Sequence, residues 1–375
     1  MRHPPALEAR RNPVTHASEK LFSPVTLGAV ELSNRMVMAP LTRVRAGESG
    51  VPNDLHVEYY SQRASLGLIV TEGTFPILEG RSWIGQPGIE TAEQIAGWRR
   101  VADAVHAAGG RIVLQIMHGG RISHPSLTGT GRTVAPSAIA APGEVRVADG
   151  SKAELPVPAA LTLDEIRGVV DGFVTASRNA IEAGLDGVEI HSANGYLVHQ
   201  FLATTSNTRT DAYGGSPANR ARLSVEILTA VAAAIGADRT GLRISPEHNI
   251  QGVIEDDAED LAATYTALAE GLAPLGLAFV DILHADPTGD LVQQFRKSVQ
   301  APVIVNSGFG VVTTRQEAFD LIEGGHAEAV AIGRPVIANP DLAVRWARDA
   351  AENAPDASTF YGDSAAGYTD YPTLD

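Results

Sequence analysis

The sequence predicts a single-domain α/β fold, a (β/α)8 TIM barrel with a long lid-like insertion after the third strand. Eight short apolar or β-branched runs recur along the 375 residues, and amphipathic segments with helix-start residues lie between them. Strand followed by helix, repeated, implies parallel strands, and eight repeats favour a closed barrel over a doubly wound sheet. The predicted strands cover residues 36–39, 68–71, 112–116, 188–190, 242–245, 279–283, 303–306 and 329–332.

Helix starts are marked by a threonine that is followed three positions later by Glu or Gln. In this capping box the threonine hydroxyl accepts the backbone N–H of the later residue, whose side chain accepts the threonine's own N–H. We expect helices to begin after three such pairs, which are Thr91 with Gln94, Thr162 with Glu165, and Thr313 with Gln316.

The connection over residues 118–161 is unusually long and is rich in Gly, Pro, Ala and Ser. Loops of this length in compact domains are usually functional or disordered. Because this one leaves the carboxyl end of the third strand, we expect a lid or hairpin over the barrel mouth. The alternative is that the insertion has no functional role.

Residues 21–375 are assigned to the barrel and residues 1–20 to a mobile tail. The tail has four basic residues and no apolar run of the kind that a secretory signal needs.

Composition excludes several classes of function. The formal net charge of −15 argues against a nucleic-acid or anionic-membrane partner, because such partners need a basic surface. No apolar run approaches the roughly 18 residues of a membrane span, and we expect a cytoplasmic protein. The chain has no cysteine, which excludes disulfides, thiolate nucleophiles, thiolate zinc sites and cysteine-bound iron–sulfur clusters.

Polar side chains follow the predicted strands, at the point where each strand ends. In a barrel these carboxyl ends meet at one mouth, and such a concentration of hydrogen-bonding groups favours a cofactor pocket over a protein-binding surface. The groups are Thr42, residues 72–74, Gln115, His118, His191, Asn194, Tyr196, Arg243, His284, residues 306–308 and the pair Gly333 and Arg334.

The last two strand ends indicate a phosphate site. Gly308 and Gly310 let the backbone approach a ligand closely, and Gly333 with Arg334 adds a bidentate cation beside a helix start. Barrels frequently bind phosphate after strands seven and eight. No G-x-G-x-x-G motif opens a βαβ unit, so a Rossmann dinucleotide domain is not expected. The alternative for Arg334 is a structural ion pair with a surface carboxylate.

The segment DGVEIHSANGYL at 186–197 contains the most informative polar residues. His191 and Asn194 are three positions apart, so a tight loop or one helical turn can direct both N–H groups at one oxygen, as in an oxyanion hole. Tyr196 follows closely enough to supply a proton. For His191 alone, a structural imidazole would be the alternative.

A metal site is the competing interpretation, because His118, His191 and His199 could be ligands. No H-x-x-x-H or H-E-x-x-H pair occurs among them. We also expect the nearest carboxylate, Glu189, to point away from His191.

Eight longer motifs are similar to those of a known family. They are LFSPVTLG at 21–28, NRMVMAPLTR at 34–43, EYYSQRASLGLIVTEGT at 58–74, HGGRISH at 118–124, GVEIHSANGYLVHQFL at 187–202, SNTRTDAYGGSPANRARL at 206–223, GRPVIANPDL at 333–342 and FYGDSAAGYTDYP at 360–372. From residue 21 to the carboxyl terminus, the chain resembles the Old Yellow Enzyme family of FMN-dependent ene-reductases.

The resemblance implies non-covalently bound FMN that is reduced by NAD(P)H. Thr42 would hydrogen-bond the flavin O4, Gln115 would hold the pyrimidine edge, and Arg243 would face N1 and O2. Arg334 would hold the phosphate together with backbone N–H groups around it. The implied cofactor residues are Pro40, Leu41, Thr42, Gly73, Gln115, His191, Arg243, Asn306, Ser307, Gly308, Gly333 and Arg334.

The resemblance also implies ping-pong reduction of activated alkenes such as enones, enals, nitroalkenes and maleimides. His191 and Asn194 would bind the activating oxygen, and Tyr196 would protonate the carbon alpha to it. The other implied substrate-pocket residues are Trp83, Met117 and Tyr361.

Three positions distinguish the chain from its relatives. Thr42 stands where a second subgroup has cysteine, which indicates the original subgroup. Trp83 stands where close relatives have tyrosine, and Met117 stands where many have tryptophan. Methionine at position 117 replaces the rigid tryptophan wall of the pocket with a flexible side chain. Our hypothesis is that this reshaped pocket shifts the preference among enones relative to those family members.

Two alternatives remain open from the sequence. One is a metal-dependent barrel lyase or hydrolase, and the other is a flavin-binding protein without ene-reductase turnover. The expected partners are small molecules, and the chain is expected to be a monomer or a homodimer.

Overall fold

The computed structural model describes residues 20–374 and contains a closed barrel of eight parallel strands. The strands, in chain order, are β1 (Val25–Leu27), β2 (Val30–Leu32), β3 (Met36–Met38), β4 (Leu68–Val70), β5 (Ile112–Ile116), β6 (Val134–Ala135), β7 (Glu144–Arg146), β8 (Lys152–Glu154), β9 (Ala159–Ala160), β10 (Gly187–Ser192), β11 (Thr240–Ile244), β12 (Phe279–Leu283), β13 (Val303–Asn306) and β14 (Ala329–Ile332). Around the barrel the order is β3, β4, β5, β10, β11, β12, β13 and β14, which pairs with β3. The predicted (β/α)8 barrel and all eight predicted strands are therefore confirmed.

Helices surround the barrel. They are α1 (Asp54–Ser61), α2 (Ala92–Ala107), α3 (Pro125–Thr128), α4 (Leu163–Glu182), α5 (Leu197–Leu202), α6 (Pro217–Ile235), α7 (Ala258–Leu272), α8 (Asp290–Val299), α9 (Arg315–Glu323), α10 (Arg334–Ala338) and α11 (Leu342–Ala347). Val188 and Ile190 of β10 pack in the same apolar core as Phe173 of α4. Because side chains alternate along a strand, the intervening Glu189 and the following His191 face the barrel interior.

The amino-terminal half of the barrel interior is apolar. Val37, Val113 and Ile304 cluster there with Phe279 and with Leu27 of the antiparallel β1–β2 hairpin. The hairpin therefore covers this end of the barrel, and it leaves the opposite mouth for polar groups.

Lys20 begins a 3-10 turn, and its backbone N–H donates to the Glu323 carboxylate at 2.8 Å. The rest of the expected mobile tail, residues 1–19, lies outside the described residues.

Two of the three expected capping boxes are confirmed, at α2 and α4. The third expectation was wrong by one residue, because Thr314 caps α9 and accepts the N–H of Glu317 at 3.2 Å. The Thr313 hydroxyl instead lies 3.1 Å from the Ser307 hydroxyl. Two adjacent threonines offer overlapping cap patterns, and this tertiary contact decides between them.

The long insertion, residues 118–161, contains α3, the antiparallel β7–β8 hairpin and the short β6–β9 pair. Its apolar side chains, among them Ile122 and Val145, form a small core against Trp83 and Tyr196. The insertion thus contacts residues of the expected substrate pocket. Its function as a lid stays a prediction.

Over residues 20–374, no helix is both long enough and apolar enough to span a membrane.

Replacing the α4 cap tests how far these local signals stabilise the barrel. In Thr162→Ala, the Glu165 N–H loses its hydroxyl acceptor, which lies at 3.3 Å. We expect the free energy of unfolding in urea to fall by about 1 kcal/mol. Thr162→Ser keeps the hydroxyl, and because serine caps helices at least as well as threonine, it should retain the wild-type free energy of unfolding. Equal stability of the two variants would contradict the capping role.

Candidate active site

Neighbouring strands place three predicted site residues side by side at the carboxyl-terminal mouth. Glu189 of β10 is in register with Gln115 of β5, and His191 is in register with Arg243 of β11. All four side chains are buried. The parallel register thus brings Gln115, His191 and Arg243 together, as the sequence predicted.

A network of buried charges lies directly below this mouth. The Gln115 amide donates to Glu189 Oε1 at 2.8 Å, and Arg243 is paired with Asp281 of β12. Burial raises the pKa of both Glu189 and Asp281. The expectation that Glu189 points away from His191 was wrong, because residues two apart on a strand share one face.

His191 is held as a neutral imidazole. Burial lowers its pKa well below the ordinary value, and the positive Arg243 and the nearby His199 lower it further. Its Nδ1 has no hydrogen-bond partner. The His191 and Tyr196 ring centroids are 5.1 Å apart, so two of the three predicted catalytic side chains are neighbours.

The third, Asn194, lies in a tight left-handed turn with φ of 55°, and Gly195 follows with φ of 80°. Three contacts hold this turn in place. The Asn194 N–H donates to Ser245 Oγ at 2.8 Å, and the Gly195 N–H donates to His199 Nδ1 at 3.0 Å. Gln251 Nε2 donates to the Asn194 carbonyl at 2.7 Å.

Gln251 is a site residue that sequence reasoning missed. Besides holding Asn194, its side chain hydrogen-bonds the Tyr196 phenol, which partly offsets the raised pKa that burial gives that tyrosine. It lies in the loop after β11 and belongs to no recognisable motif. Only its place in the loop that follows a barrel strand could have suggested it.

Two of the other expected substrate-pocket residues, Trp83 and Tyr361, lie near Tyr196. Trp83 packs edge to face against it, with ring centroids 5.8 Å apart. Tyr361 is 67% exposed and close enough to Tyr196 to contribute to its raised pKa. Met117 is buried against Gly73, where an added Cβ would come within 2.7 Å of the Met117 sulfur. Glycine at 73 is therefore needed for this close approach.

The segment after β3 is fixed by one buried carboxylate. Glu72 accepts the backbone N–H groups of Arg43 and Val44, both at 3.0 Å. Val44 adopts a left-handed φ of 53°, which these bonds stabilise. The expected cofactor residues of this segment, Pro40, Leu41 and Thr42, are half-buried immediately before this turn.

Two buried arginines attach the carboxyl-terminal segment, residues 359–367, to the same turn. Arg43 donates to the carbonyls of Phe360 and Gly367, both at 2.8 Å. Arg45 donates to the Ser364 carbonyl at 2.9 Å and to the Thr359 carbonyl at 3.0 Å. The exposed Tyr361 therefore lies in a segment whose backbone is hydrogen-bonded to these arginines both before and after it in sequence.

The ends of β13 and β14, where the sequence predicts a phosphate site, lie side by side. Asn306 donates to the Ala331 carbonyl at 2.8 Å, and Gly308 follows Ser307 with φ of 100°. Arg334, next to Gly333, is exposed and donates to the Phe309 carbonyl at 2.7 Å. The recorded contact of Arg334 is thus a carbonyl of the neighbouring strand end and not a surface carboxylate.

Two of the three histidines considered as metal ligands, His118 and His199, have hydrogen-bond partners within the protein. His118 accepts the Gly120 N–H at 3.1 Å, and His199 lies 3.3 Å from Glu255 in addition to its bond with Gly195. Within residues 20–374, no three histidine or acidic side chains are grouped so as to hold a metal ion. The metal-dependent alternative finds no support in this part of the chain.

Unpaired polar atoms at the mouth indicate what a ligand must offer. His191 Nδ1, Asn194 Oδ1 and Arg243 Nε are buried without hydrogen-bond partners. Such atoms are rare in folded proteins unless a ligand or water satisfies them. A flat group with hydrogen-bonding edges, such as the isoalloxazine of FMN, fits this arrangement.

Comparison with known proteins agrees with the geometry. The profile of the NADH:flavin oxidoreductase / NADH oxidase family matches residues 20–353. A probable flavin mononucleotide-dependent alkene reductase of Leishmania infantum is 42% identical over 94% of this chain and 97% of that protein. The 12-oxophytodienoate reductase 1 of Oryza sativa subsp. japonica is 38% identical over 96% of this chain and 94% of that protein.

Solved structures show the same similarity. Morphinone reductase superimposes with a TM-score of 0.89 at 42% identity, over 96% of this chain and 98% of the other. The Old Yellow Enzyme homologue from Zymomonas mobilis gives a TM-score of 0.89 at 39% identity, over 95% of this chain and 100% of the other.

The chain belongs to the Old Yellow Enzyme family. FMN is the cofactor of this family of oxidoreductases, and a reduced nicotinamide is its reductant. Morphinone reductase has also been solved in complex with tetrahydroNAD.

Replacing Arg45 tests whether the attachment of the carboxyl-terminal segment, residues 359–367, depends on its hydrogen bonds. In Arg45→Met, the carbonyls of Thr359 and Ser364 lose charged hydrogen bonds. We expect amide hydrogen exchange over residues 359–367 to accelerate at least about tenfold. Arg296→Met, which removes an ion pair with Glu328 elsewhere, serves as the control. Equal exchange in both variants would show that other contacts hold the segment.

Proposed function

We propose that this protein is an FMN-dependent ene-reductase that uses NAD(P)H to reduce the C=C bond of activated alkenes. The observation that supports this most directly is the closeness of the His191 and Tyr196 rings beside the buried Arg243, with Asn194 in the turn between the two rings. Two neutral N–H donors and a phenol around one pocket suit an electron-poor alkene better than a hydrolysable substrate.

The residues present fit FMN at the mouth. Thr42, Gln115 and Arg243 would hold the ring edges, and Arg334 would hold the phosphate with backbone N–H groups near Ser307. Bound there, FMN supplies the hydride chemistry that amino-acid side chains lack. The protein contributes orientation and electrostatics.

His191 and Asn194 would bind the carbonyl or nitro oxygen of the substrate. Because its pKa is lowered, His191 is neutral and donates one N–H without bringing a positive charge. Asn194 offers its amide from a turn that Ser245 and Gln251 hold rigid. Such donors stabilise negative charge that develops on the oxygen during the reaction.

Tyr196 would deliver a proton to the carbon alpha to the activating group. Burial raises its pKa, so the phenol is protonated throughout the physiological range. Gln251 and Trp83 fix the direction of the ring. Tyr361 and the adaptable Met117 would shape the remainder of the pocket, which supports a shifted enone preference.

Stepwise anaerobic spectroscopy tests the proposal. Purified holoprotein should lose its flavin absorbance with NADPH and regain it when cyclohexenone is added. In His191→Ala the second step should slow by about 100- to 1000-fold. A band that bleaches but never returns with any enone would instead favour a flavin-binding protein without turnover. A colourless protein that FMN does not reconstitute would overturn the proposal altogether.

The neutral state of His191 predicts the pH dependence of alkene reduction. A free histidine would become charged as pH falls through about 6.5, but the lowered pKa keeps His191 neutral well below that pH. We expect the rate of flavin reoxidation by cyclohexenone to show no inflection near pH 6.5. An acid limb centred there, and absent from His191→Asn, would contradict this assignment.

A further inference from the structure

Two buried carboxyl groups face one guanidinium beneath the barrel mouth. Glu189 of β10 and Asp281 of β12 are each 0% exposed, and Arg243 of β11 is 2% exposed. With both acids ionised the group would have a net negative charge in a site without water contact. Such a charge is prohibitively costly, so one carboxyl must be neutral or find another cation.

The contacts identify which carboxyl has the cation. Asp281 is paired directly with Arg243. Glu189 instead accepts the uncharged Gln115 amide at 2.8 Å through Oε1, while its Oε2 has no partner. Glu189 therefore faces an amide, and the charge of Arg243 is already balanced by Asp281.

Among residues 20–374, Arg243 is the cation that acts on Glu189, and its neighbours supply no second one. On its own strand the neighbouring inward residue is the neutral His191. The strand on one side contributes Gln115, and the strands on the other contribute Arg243 and then Asp281, which disfavours a second negative charge. Other described residues of the interior cluster, among them Val37, Val70, Ile304 and Ala331, are apolar.

We propose that Glu189 is kept as a neutral carboxylic acid that positions Gln115 and sets the net charge that Arg243 presents to the cofactor. By accepting from Gln115 Nε2, it leaves the Gln115 carbonyl oxygen as the end of the amide that is free for a ligand. Because Glu189 remains protonated, Asp281 is the one carboxylate of this group of three that opposes the positive charge of Arg243. This inference rests on the proposed contacts of Gln115 and Arg243 with FMN.

A link between reduction and protonation follows. Reduction that adds negative charge beside Arg243 disfavours an ionised Glu189, because like charges at close range repel. Where solution pH is high enough to ionise Glu189, reduction therefore draws one proton from solvent onto its carboxylate. Glu189 is a positioning residue in this scheme and touches no reacting atom.

Infrared spectroscopy of the intact holoprotein tests the protonation state without reference to turnover. With glutamate isotopically labelled, the wild type should show a protonated carboxyl band at neutral pH that Glu189→Gln lacks. Glu72, a second buried glutamate whose pKa is raised by burial, is unchanged in the variant and serves as the internal control. A spectrum with no such difference would overturn the proposal even if ene-reductase activity were confirmed.

The midpoint potential of bound FMN tests the effect on the cofactor. Above the pH at which Glu189 ionises in the oxidised holoprotein, reduction takes up one more proton in the wild type than in Glu189→Gln. The equilibrium constant for FMN reduction should therefore fall up to tenfold more steeply per pH unit in the wild type, which corresponds to 29.6 mV for a two-electron couple. Parallel pH profiles would overturn the coupling to the cofactor.

Positioning of Gln115 is tested by a second comparison. Glu189→Gln keeps a carbonyl that accepts from Gln115, whereas Glu189→Ala does not, and FMN should bind about fivefold more weakly to the alanine variant. Equal affinity of the two variants for FMN would overturn the positioning role. If Glu189→Ala fails to fold, Glu189→Asp replaces it, because its shorter side chain withdraws the acceptor.

Discussion

The pairing of Arg243 with Asp281 inside the barrel is the interaction on which the mouth depends. A guanidinium buried without a partner would be prohibitively costly, and so would the lone aspartate. The parallel strands solve this by placing the two residues in register on β11 and β12. Once the pair is in place, the neighbouring positions on β5 and β10 must be neutral, and Gln115 and His191 meet that requirement.

A second constraint organises the rim. The turn after β3 and the carboxyl-terminal segment are far apart in sequence, yet Arg43 and Arg45 join them through backbone carbonyls. Tyr59 and Tyr368 stack with centroids 3.9 Å apart, and the Arg45 guanidinium lies 4.2 Å from the centre of the Tyr368 ring. Carbonyl acceptors impose no side-chain identity on the segment, so its sequence can vary around Tyr361 without loss of attachment.

The fold and most of the polar residues at the barrel mouth could be predicted from the sequence, because both depend on local patterns. Apolar runs give strands, and polar residues at strand ends converge in any barrel. Local patterns do not determine contacts between distant loops. Gln251 reaches Asn194 across 57 residues, and the cap of α9 is decided by a hydroxyl contact with Ser307. The position of Glu189, in contrast, was predictable from a local pattern. Residues two apart on a strand share one face, so Glu189 and His191 are expected on the same side of β10.

The proposed cofactor and substrate halves of the mouth share one electrostatic determinant, Arg243. Arg243 is expected to stabilise negative charge on the cofactor, and the same charge helps to keep His191 unprotonated. A neutral His191 can donate to a substrate oxygen without adding a second cation that would compete with Arg243. On the proposed assignment, replacing Arg243 would alter both halves at once, whereas the contacts of Asn194 with Ser245 and Gln251 would act on the substrate half. Substrate preference can thus change through that turn while the electrostatics of the cofactor site remain fixed.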